Sequence, residues 1–552
     1  MENDAMTLRT GGQILVDQLR IQGVDRLTCV PGESYLAALD ALHDADIDVL
    51  VCRHEGGAAM MAEAYGKLTG RPGICFVTRG PGAMNAAHGV HIAAHDSTPM
   101  ILFIGQVERA SLGRGAFQEM DYEAVFGSIA KWVVEVHDAR RLPEILARAF
   151  AVAVQGRPGP VVVSLPEDVL TDTVEAADAP PVALATSELS VAQFERLQAL
   201  LLASKRPMLI LGGSGWSDEG CAAIADFAAR FKLPVATEFR RAPLFPALHP
   251  SYAGDLGFGQ NPRLSQRVRD ADLLILLGAR MSEVPSNNYT LVDGQTLVHV
   301  FPDAGELGKV YHPALGIVCS PDEFARSMAW MKAPLDLPWH LHTENAHMDY
   351  LAWSGKPAQL PGDFQYGDVV AWLRDILPAD TIICNGAGNY AIWVHRYWRH
   401  SRPRTLVAPT SGSVGYSVPA GVMAKRQCPD RTVVVFAGDG CFLMHGNEFA
   451  TAVQYDIPLI VIVVDNGMYG TIRMHQEREY PHRVIGTDLK NPDFAALSRA
   501  FGGHGETVRT TAEFAPAFER ARASGKPAII HCFLDPQAIT PAKTLDQVAA
   551  GN

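Results

Sequence analysis

RTVVVFAGDGCFLMHGNEFATAVQYDIPLIVIVVDNGMYGTI, residues 431–472, is the stretch that decides the fold. It opens on an unbroken apolar run, Val433 to Ala437, and nears its end with a second, Leu459 to Val464. Both are rich in β-branched residues and lack in/out alternation, which suits parallel strands covered on both faces. Between them Phe449, Ala452 and Val453 stand at helical spacing and Ile457-Pro458 ends the helix, so the stretch predicts a βαβ unit. A right-handed crossover brings Gly438-Asp439-Gly440 and Asp465-Asn466-Gly467 to one edge of the sheet, where open α/β sheets take ligands. The Asp439 carboxylate and the Asn466 amide oxygen are hard donors of the kind Mg²⁺ accepts while filling its shell with phosphate and water. Gly438 and Gly440 let a diphosphate approach the backbone, and the helix after them turns its positive end towards it. Either turn alone reads as an ordinary strand end; the pair in one crossover, with Glu448 between, carries the metal reading.

Together GDG, Glu448, Thr451-Ala452 and Asp465-Asn466 resemble the thiamine diphosphate (ThDP) fingerprint of the acetolactate synthase, pyruvate oxidase and benzoylformate decarboxylase superfamily. The resemblance implies that Asp439, the Asn466 side chain and the Met468 backbone carbonyl ligate Mg²⁺. It also places Gly438, Gly440, Cys441, Tyr469 and Gly470 about the cofactor. Relatives usually end the fingerprint in Asn-Asn. Here the first member is Asp465, and the second, the ligand, is kept.

Upstream, apolar runs alternate with helix-like segments: Arg26–Val30, Val49–Cys52, Ile74–Thr78, Met100–Ile104, Lys131–Val136 and Val161–Leu165. That alternation predicts a mostly parallel sheet with helices on both faces. Arg53-His54-Glu55-Gly56-Gly57-Ala58-Ala59 opens a helix, where a Glu is ordinarily a carboxylate favoured by the dipole. The stretch resembles the family's R-H-E-x-x-A-A, which makes Glu55 the carboxyl group that bonds the pyrimidine N1′ and turns the 4′-amino group into a base for the C2 proton. Thr78 to Asn85 resembles T-x-G-P-G-x-x-N, so Gly82 and Asn85, with Pro31, wall the pyrimidine. Ala116-Phe117-Gln118-Glu119 matches a stretch that faces the reacting carbon. Phe117 and Gln118 are therefore substrate-pocket residues by resemblance, Gln118 also a catalytic candidate, and Phe117 reads equally as packing.

Residues 171–191 are rich in Ala, Pro and small polar residues and read as a linker; residues 334–362, with four prolines and the polar patch His340 to His347, read as a second. The chain therefore divides into 1–172, 192–333 and 363–552: a pyrimidine-binding domain, a central nucleotide-fold domain and a diphosphate- and Mg²⁺-binding domain. In the middle, Met208–Gly212, Pro234–Phe239, Leu273–Leu277 and Thr296–Phe301 are strand-like, and Gly212-Gly213-Ser214-Gly215 reads as a tight turn before a nucleotide loop. Relatives hold FAD there or nothing. Leu277-Gly278-Ala279-Arg280 resembles the G-A-R element found in both kinds, and residues 255–261 lack the G-M-x-G flavin loop, which disfavours FAD. In the last domain the strand Thr381–Cys384 runs into Asn385-Gly386-Ala387-Gly388-Asn389; the family's corresponding end lies beside the diphosphate, so the resemblance makes its N–H groups candidate phosphate donors. Thr410 to Tyr416, with Pro419-Ala420, resembles S-G-x-x-G-x-x-x-P-A. It assigns Ser411 to the cofactor and Val414 to the aliphatic wedge that bends it, bringing the 4′ nitrogen to C2. In acetohydroxyacid synthases a Trp lies nine residues past the metal-binding Asn; here the place is taken by His475, a substrate-pocket candidate that reads equally as a solvated surface residue.

At 552 residues the chain is too long for one core, and its net charge of −13 argues against nucleic acid or an anionic membrane as partner. The nine cysteines are scattered singly, which reads as buried reduced thiols of a cytoplasmic protein. The first residues, MENDAMTLRTGGQ, have neither the basic nor the apolar part of a signal peptide, and no apolar stretch would cross a bilayer. The expectation is an α/β enzyme, dependent on ThDP and Mg²⁺, that decarboxylates or ligates a 2-oxo acid through an enamine after loss of CO₂. Benzaldehyde-lyase-type or acyl-CoA-lyase-type cleavage of a 2-hydroxy ketone is the alternative. In relatives the carboxylate and the diphosphate site come from different subunits, so a homodimer or homotetramer is expected. A cofactor-binding homologue without chemistry is disfavoured by the joint presence of Glu55, Asp439 and Asn466. An NAD-dependent dehydrogenase lacks its G-x-G-x-x-G.

Overall fold

The computed structural model describes residues 8–551. Residues 1–7 of the expected first domain, with much of the stretch read for a signal peptide, lie outside the described residues, as does residue 552. Three six-stranded sheets follow one another along the chain, every neighbouring pair within them parallel. The chain divides into two compact units at Ala185–Thr186, the second containing two of the sheets.

The first sheet runs, edge to edge, Asp48–Val51, Arg26–Cys29, Gly73–Val77, Met100–Gln106, Pro160–Pro166, Trp132–Glu135. The third runs Leu406–Val407, Ile382–Asn385, Val433–Gly438, Ile460–Asp465, Ala528–Phe533, His504–Val508. Numbered by appearance, both have the order 2-1-3-4-6-5. The middle sheet differs, running Tyr252–Leu256, Val235–Glu238, Pro207–Leu211, Leu273–Leu277, Thr296–Phe301, Leu315–Val318, the order 3-2-1-4-5-6 of a dinucleotide fold. Each sheet thus has a switch point where successive connections leave in opposite directions.

The central strands are buried on both faces, as their unalternating composition requires: Val433 to Ala437 are at most 2% exposed. Each of the valine and phenylalanine side chains among them contributes about 1.5–3 kcal/mol relative to an exposed one. Val434 to Gly438 pairs in register with Ile460 to Val464, so the tips of both strands meet at one edge. The crossover helix starts earlier than its apolar spacing indicates, at Asp439, and is broken by a 3₁₀ turn, Gly446–Glu448, before Phe449–Gln454.

The stretch read as a second linker is corrected by the structure. His340–Trp353 is a helix lying against the middle sheet's edge strand, with Thr343, Ala346 and Tyr350 buried and Arg267 paired to its Asp349. The first linker is less altered: Thr173–Glu175 pairs antiparallel with Leu8–Thr10, and residues 176–190 contain neither helix nor strand. Among the described residues no helix is long and apolar enough to cross a membrane, and eight of the nine cysteines are buried.

Candidate active site

In the first unit Glu55 is the first residue of the helix Glu55–Thr69, capped by His54, whose Nδ1 accepts from the Gly56 N–H at 3.0 Å. Asn85, from the neighbouring helix Pro81–Asp96, donates to Glu55 Oε2 at 2.9 Å. A Cβ on Gly82 would stand 3.3 Å from Glu55 Oε1 and 2.9 Å from Thr78 Cγ2, so glycine there leaves the carboxylate its room. Gln118 and Gly80 cross closely, both at positive φ, and Phe117 beside them is 74% exposed. Arg79, which no motif reading singled out, holds this loop: its Nε donates to the Phe117 carbonyl (3.3 Å) while its amino groups pair with Glu167 and Glu33. Pro31 is exposed just after Val30, whose carbonyl accepts from Tyr35 Oη at 2.6 Å.

In the second unit Asp439 and Asp465 leave adjacent strand tips. Asn491 joins them, its Nδ2 donating to Asp439 Oδ2 (2.7 Å) and to Asp465 Oδ1 (2.8 Å). Burial, together with the neighbouring Asp465 charge, pushes the Asp439 carboxyl up to about 6. Asp465 is buried too, but hydrogen bonds from His531, Asn491 and the Gly467 N–H outweigh that and hold its pKa below the ordinary range. His531 Nε2 lies 2.9 Å from Asp465 Oδ2, so the acid standing where relatives have an amide is turned towards the imidazole. An antiparallel bridge pairs Met468 with Asp488; its bonds run through the Tyr469 N–H and the Gly467 carbonyl and do not consume the Met468 carbonyl. The Asp439 carboxylate, its pKa raised at one strand tip, and the Asn466 amide oxygen after the neighbouring tip are hard donors of the kind a divalent cation takes together with phosphate and water.

Four helices begin around these tips: Tyr390–Tyr397, Ser417–Gln427, Asp439–His445 and Gly470–Glu479. None has a side-chain cap. Uncapped N-termini present unsatisfied N–H groups and suit a diphosphate. The loop Gly386 to Asn389 is less free than its glycines indicate, which corrects the reading of all its N–H groups as phosphate donors. The Gly386 N–H donates to Tyr390 Oη (3.0 Å) and the Asn389 N–H to Thr471 Oγ1 (2.9 Å), while the Asn389 side chain donates to the Ile539 carbonyl. The glycines at the tips answer to packing: a Cβ on Gly440 would meet the Tyr469 ring at 2.6 Å, and one on Gly438 the Tyr390 ring at 2.9 Å. On Gly470 it would meet Asn466 Nδ2 at 3.0 Å. Gly388 needs its φ of 139°. Cys441 Sγ accepts from Tyr390 Oη and from the Gly415 N–H (3.2 Å), tying the 386 loop to the Val414 loop. Val414 packs on the core, and Ser411 Oγ lies 3.0 Å from Ser413 Oγ. His475 is largely exposed; the partial desolvation of its ring, and then the Arg478 charge 2.7 Å away, lower its pKa.

The profile of the thiamine pyrophosphate enzymes' N-terminal TPP-binding domain matches residues 9–125, that of their central domain 194–328 and that of their C-terminal TPP-binding domain 386–532. The chain belongs to the thiamine pyrophosphate enzyme family. It is a ThDP-dependent enzyme whose three parallel-sheet domains stand in the family's order. It is 31% identical over 534 residues to the acetolactate synthase isozyme 2 large subunit of Escherichia coli, covering 95% of each chain. To the acetolactate synthase large subunit of Lactococcus lactis it is 31% identical, covering 89% of this chain and 87% of that one. To the acetolactate synthase of Bacillus subtilis it is 28% identical, covering 97% and 95%.

Asn491, His531 and Arg79 escaped the reading of the sequence as site residues. Asn491 opens Asn491-Pro492-Asp493-Phe494, which resembles the end of the family's G-T-x-L-x-N-P-D-F and was its one signal; a lone His in an apolar strand and an Arg beside Gly-Pro-Gly gave none.

Proposed function

We propose that the protein is a Mg²⁺- and ThDP-dependent enzyme that decarboxylates a small 2-oxo acid and ligates the product to a second carbonyl, in the manner the names of its acetolactate synthase relatives describe. The observation that carries this is the pair of tips holding Asp439 and Asn466 amid four uncapped helix starts. Asp439, Asn466 and the Met468 carbonyl would hold the metal, and the N-terminus of the helix from Asp439 the diphosphate. When bound, ThDP supplies a carbon nucleophile that adds to a carbonyl and accepts the electrons left behind by carbon dioxide. Asn85 fixes Glu55 through Oε2 and leaves Oε1 to share a proton with a ring nitrogen. Asn491, donating to both Asp439 and Asp465, offsets their mutual repulsion and would hold Asp439 in place for the metal. Phe117 and Gln118, held by Arg79, would face the substrate. In this reading the active protein is a homodimer or homotetramer working in the cytoplasm, with the middle domain free of FAD.

The test is a panel of 2-oxo acids with CO₂ release and ligation product both measured, with and without ThDP and Mg²⁺. Pyruvate should give acetolactate, and CO₂ without any ligated product would overturn the synthase reading. His475, at the place of the synthases' Trp, favours a second reading in which a 2-hydroxy ketone is cleaved to two carbonyl compounds; adding benzoin and acetoin to the same panel tests it.

A further inference from the structure

Strand Val235–Glu238 of the middle sheet ends in a turn whose Arg240 has φ 60°, a backbone conformation that a long side chain adopts only under constraint. Its side chain leaves its own domain. Arg240 is 5% exposed, and its guanidinium carbon lies 4.8 Å from the centre of the Phe239 ring. One amino group donates to the Gly386 carbonyl at 2.5 Å and the other to the Pro409 carbonyl. Those carbonyls open two loops of the third domain. Gly386 begins 386–389, beside the strand Ile382–Asn385, and Pro409 precedes 410–416, beyond the parallel strand Leu406–Val407. A planar fork with two amino groups reaches two carbonyls at once in a fixed spacing, which a lysine, a single point charge on a flexible stem, does not.

We infer that Arg240 is a positioning residue for cofactor binding. The middle domain sets the separation of the two loops that flank the cofactor, through a clamp on their first carbonyls. This rests on the proposed function, with ThDP set beside those loops as the resemblance of 385–389 and 410–416 to the family implies. The clamp acts on the resting protein, so its loss appears in binding before it appears in turnover.

The test uses the full-length chain as Arg240→Lys and Arg240→Met. ThDP affinity at saturating Mg²⁺ is read by tryptophan fluorescence, turnover at saturating ThDP, and amide hydrogen exchange with and without cofactor. Both variants should weaken ThDP by roughly tenfold or more, the loss of a charge-assisted bond, with turnover at saturating ThDP reduced far less. Exchange should quicken in 386–389 and 410–416 while the strands Val433–Gly438 and Ile460–Asp465 keep their protection. Unchanged exchange in those loops, or a rise spread evenly over the chain, would overturn the inference. If Arg240→Met fails to fold, Arg240→Lys, which keeps the cation over Phe239, carries the same comparison. In the wild type, ThDP that leaves both loops unprotected would instead refute the placement of the cofactor, so the two failures are distinguishable.

Discussion

The middle and third sheets both have a switch point, and they treat it in opposite ways. In the third, the tips beside the switch carry Gly386 and Asp439, and the helices that start there lack side-chain caps. In the middle, the crevice is filled from within. Glu238, at the end of the strand Val235–Glu238, accepts the Arg280 and Met281 N–H groups at 2.9 and 2.6 Å. A Cβ on Gly212 would lie 2.1 Å from its other oxygen. The helix Asp218–Phe231 that follows is capped by Ser217, whose Oγ accepts from the Gly220 N–H. A parallel sheet brings donors to a ligand-sized crevice by topology alone; the side chain standing there decides whether an outside anion or an inside carboxylate satisfies them.

The largest effect is expected at the open switch point. Asp439→Ala should abolish Mg²⁺-dependent retention of ThDP through gel filtration and lower turnover on the order of 10³-fold; retained cofactor would remove the contrast. The first sheet repeats the third's strand order but offers an acid at a helix start instead of a pair of carboxylates after strand tips. There Glu55→Gln should cut kcat on the order of 10²–10⁴-fold with ThDP still bound, and near-wild-type exchange of the C2 proton would break the assignment. Gly440→Val should cost about 1–3 kcal/mol in urea unfolding by driving a side chain into the Tyr469 ring; no loss would mean that the tip is looser than its contacts.

The smallest effect belongs to the filled crevice. Burial raises the Glu238 carboxyl above its ordinary value of 4.5, with the Arg280 charge and the Met281 N–H working against it. The folded protein therefore holds that proton more tightly than the unfolded one. The associated stability is whole below pH 4.5 and is lost as pH rises through the folded pKa. Glu238→Gln, which cannot ionise, should equal the wild type near pH 4.5 and gain on it towards pH 8 in urea midpoints. A difference that does not change with pH would show the carboxyl to be ionised throughout.

Most buried strands were legible because parallel strands covered on both faces are continuous apolar runs; Ala528–Phe533, interrupted by His531, was not read. The first sheet's edges were read as Val49–Cys52 and Lys131–Val136, but edge strands of the other two escaped: Tyr252–Leu256 holds Gly254 and Asp255, and His504–Val508 is polar and half-exposed. The helix from His340 hid for a like reason, since it buries one narrow face through Thr343, Ala346 and Tyr350 amid histidines and acids. At the site, Glu55 and Asp439 stood out because short motifs surround them. Asn491 lies 52 residues from the Asp439 it bonds and Arg240 lies 146 from Gly386, and folding alone closes such distances.

The two connectors differ, one a helix against a sheet and the other irregular chain from 176 to 190, exposed throughout 183–188. That second strip contains neither lysine nor arginine, so trypsin has nothing to cut there, whereas an elastase finds Ala183 and Ala185 in the open. A nick at that place severs no strand ladder. Cleavage there would then give two chains whose ends follow the boundary of the two compact units.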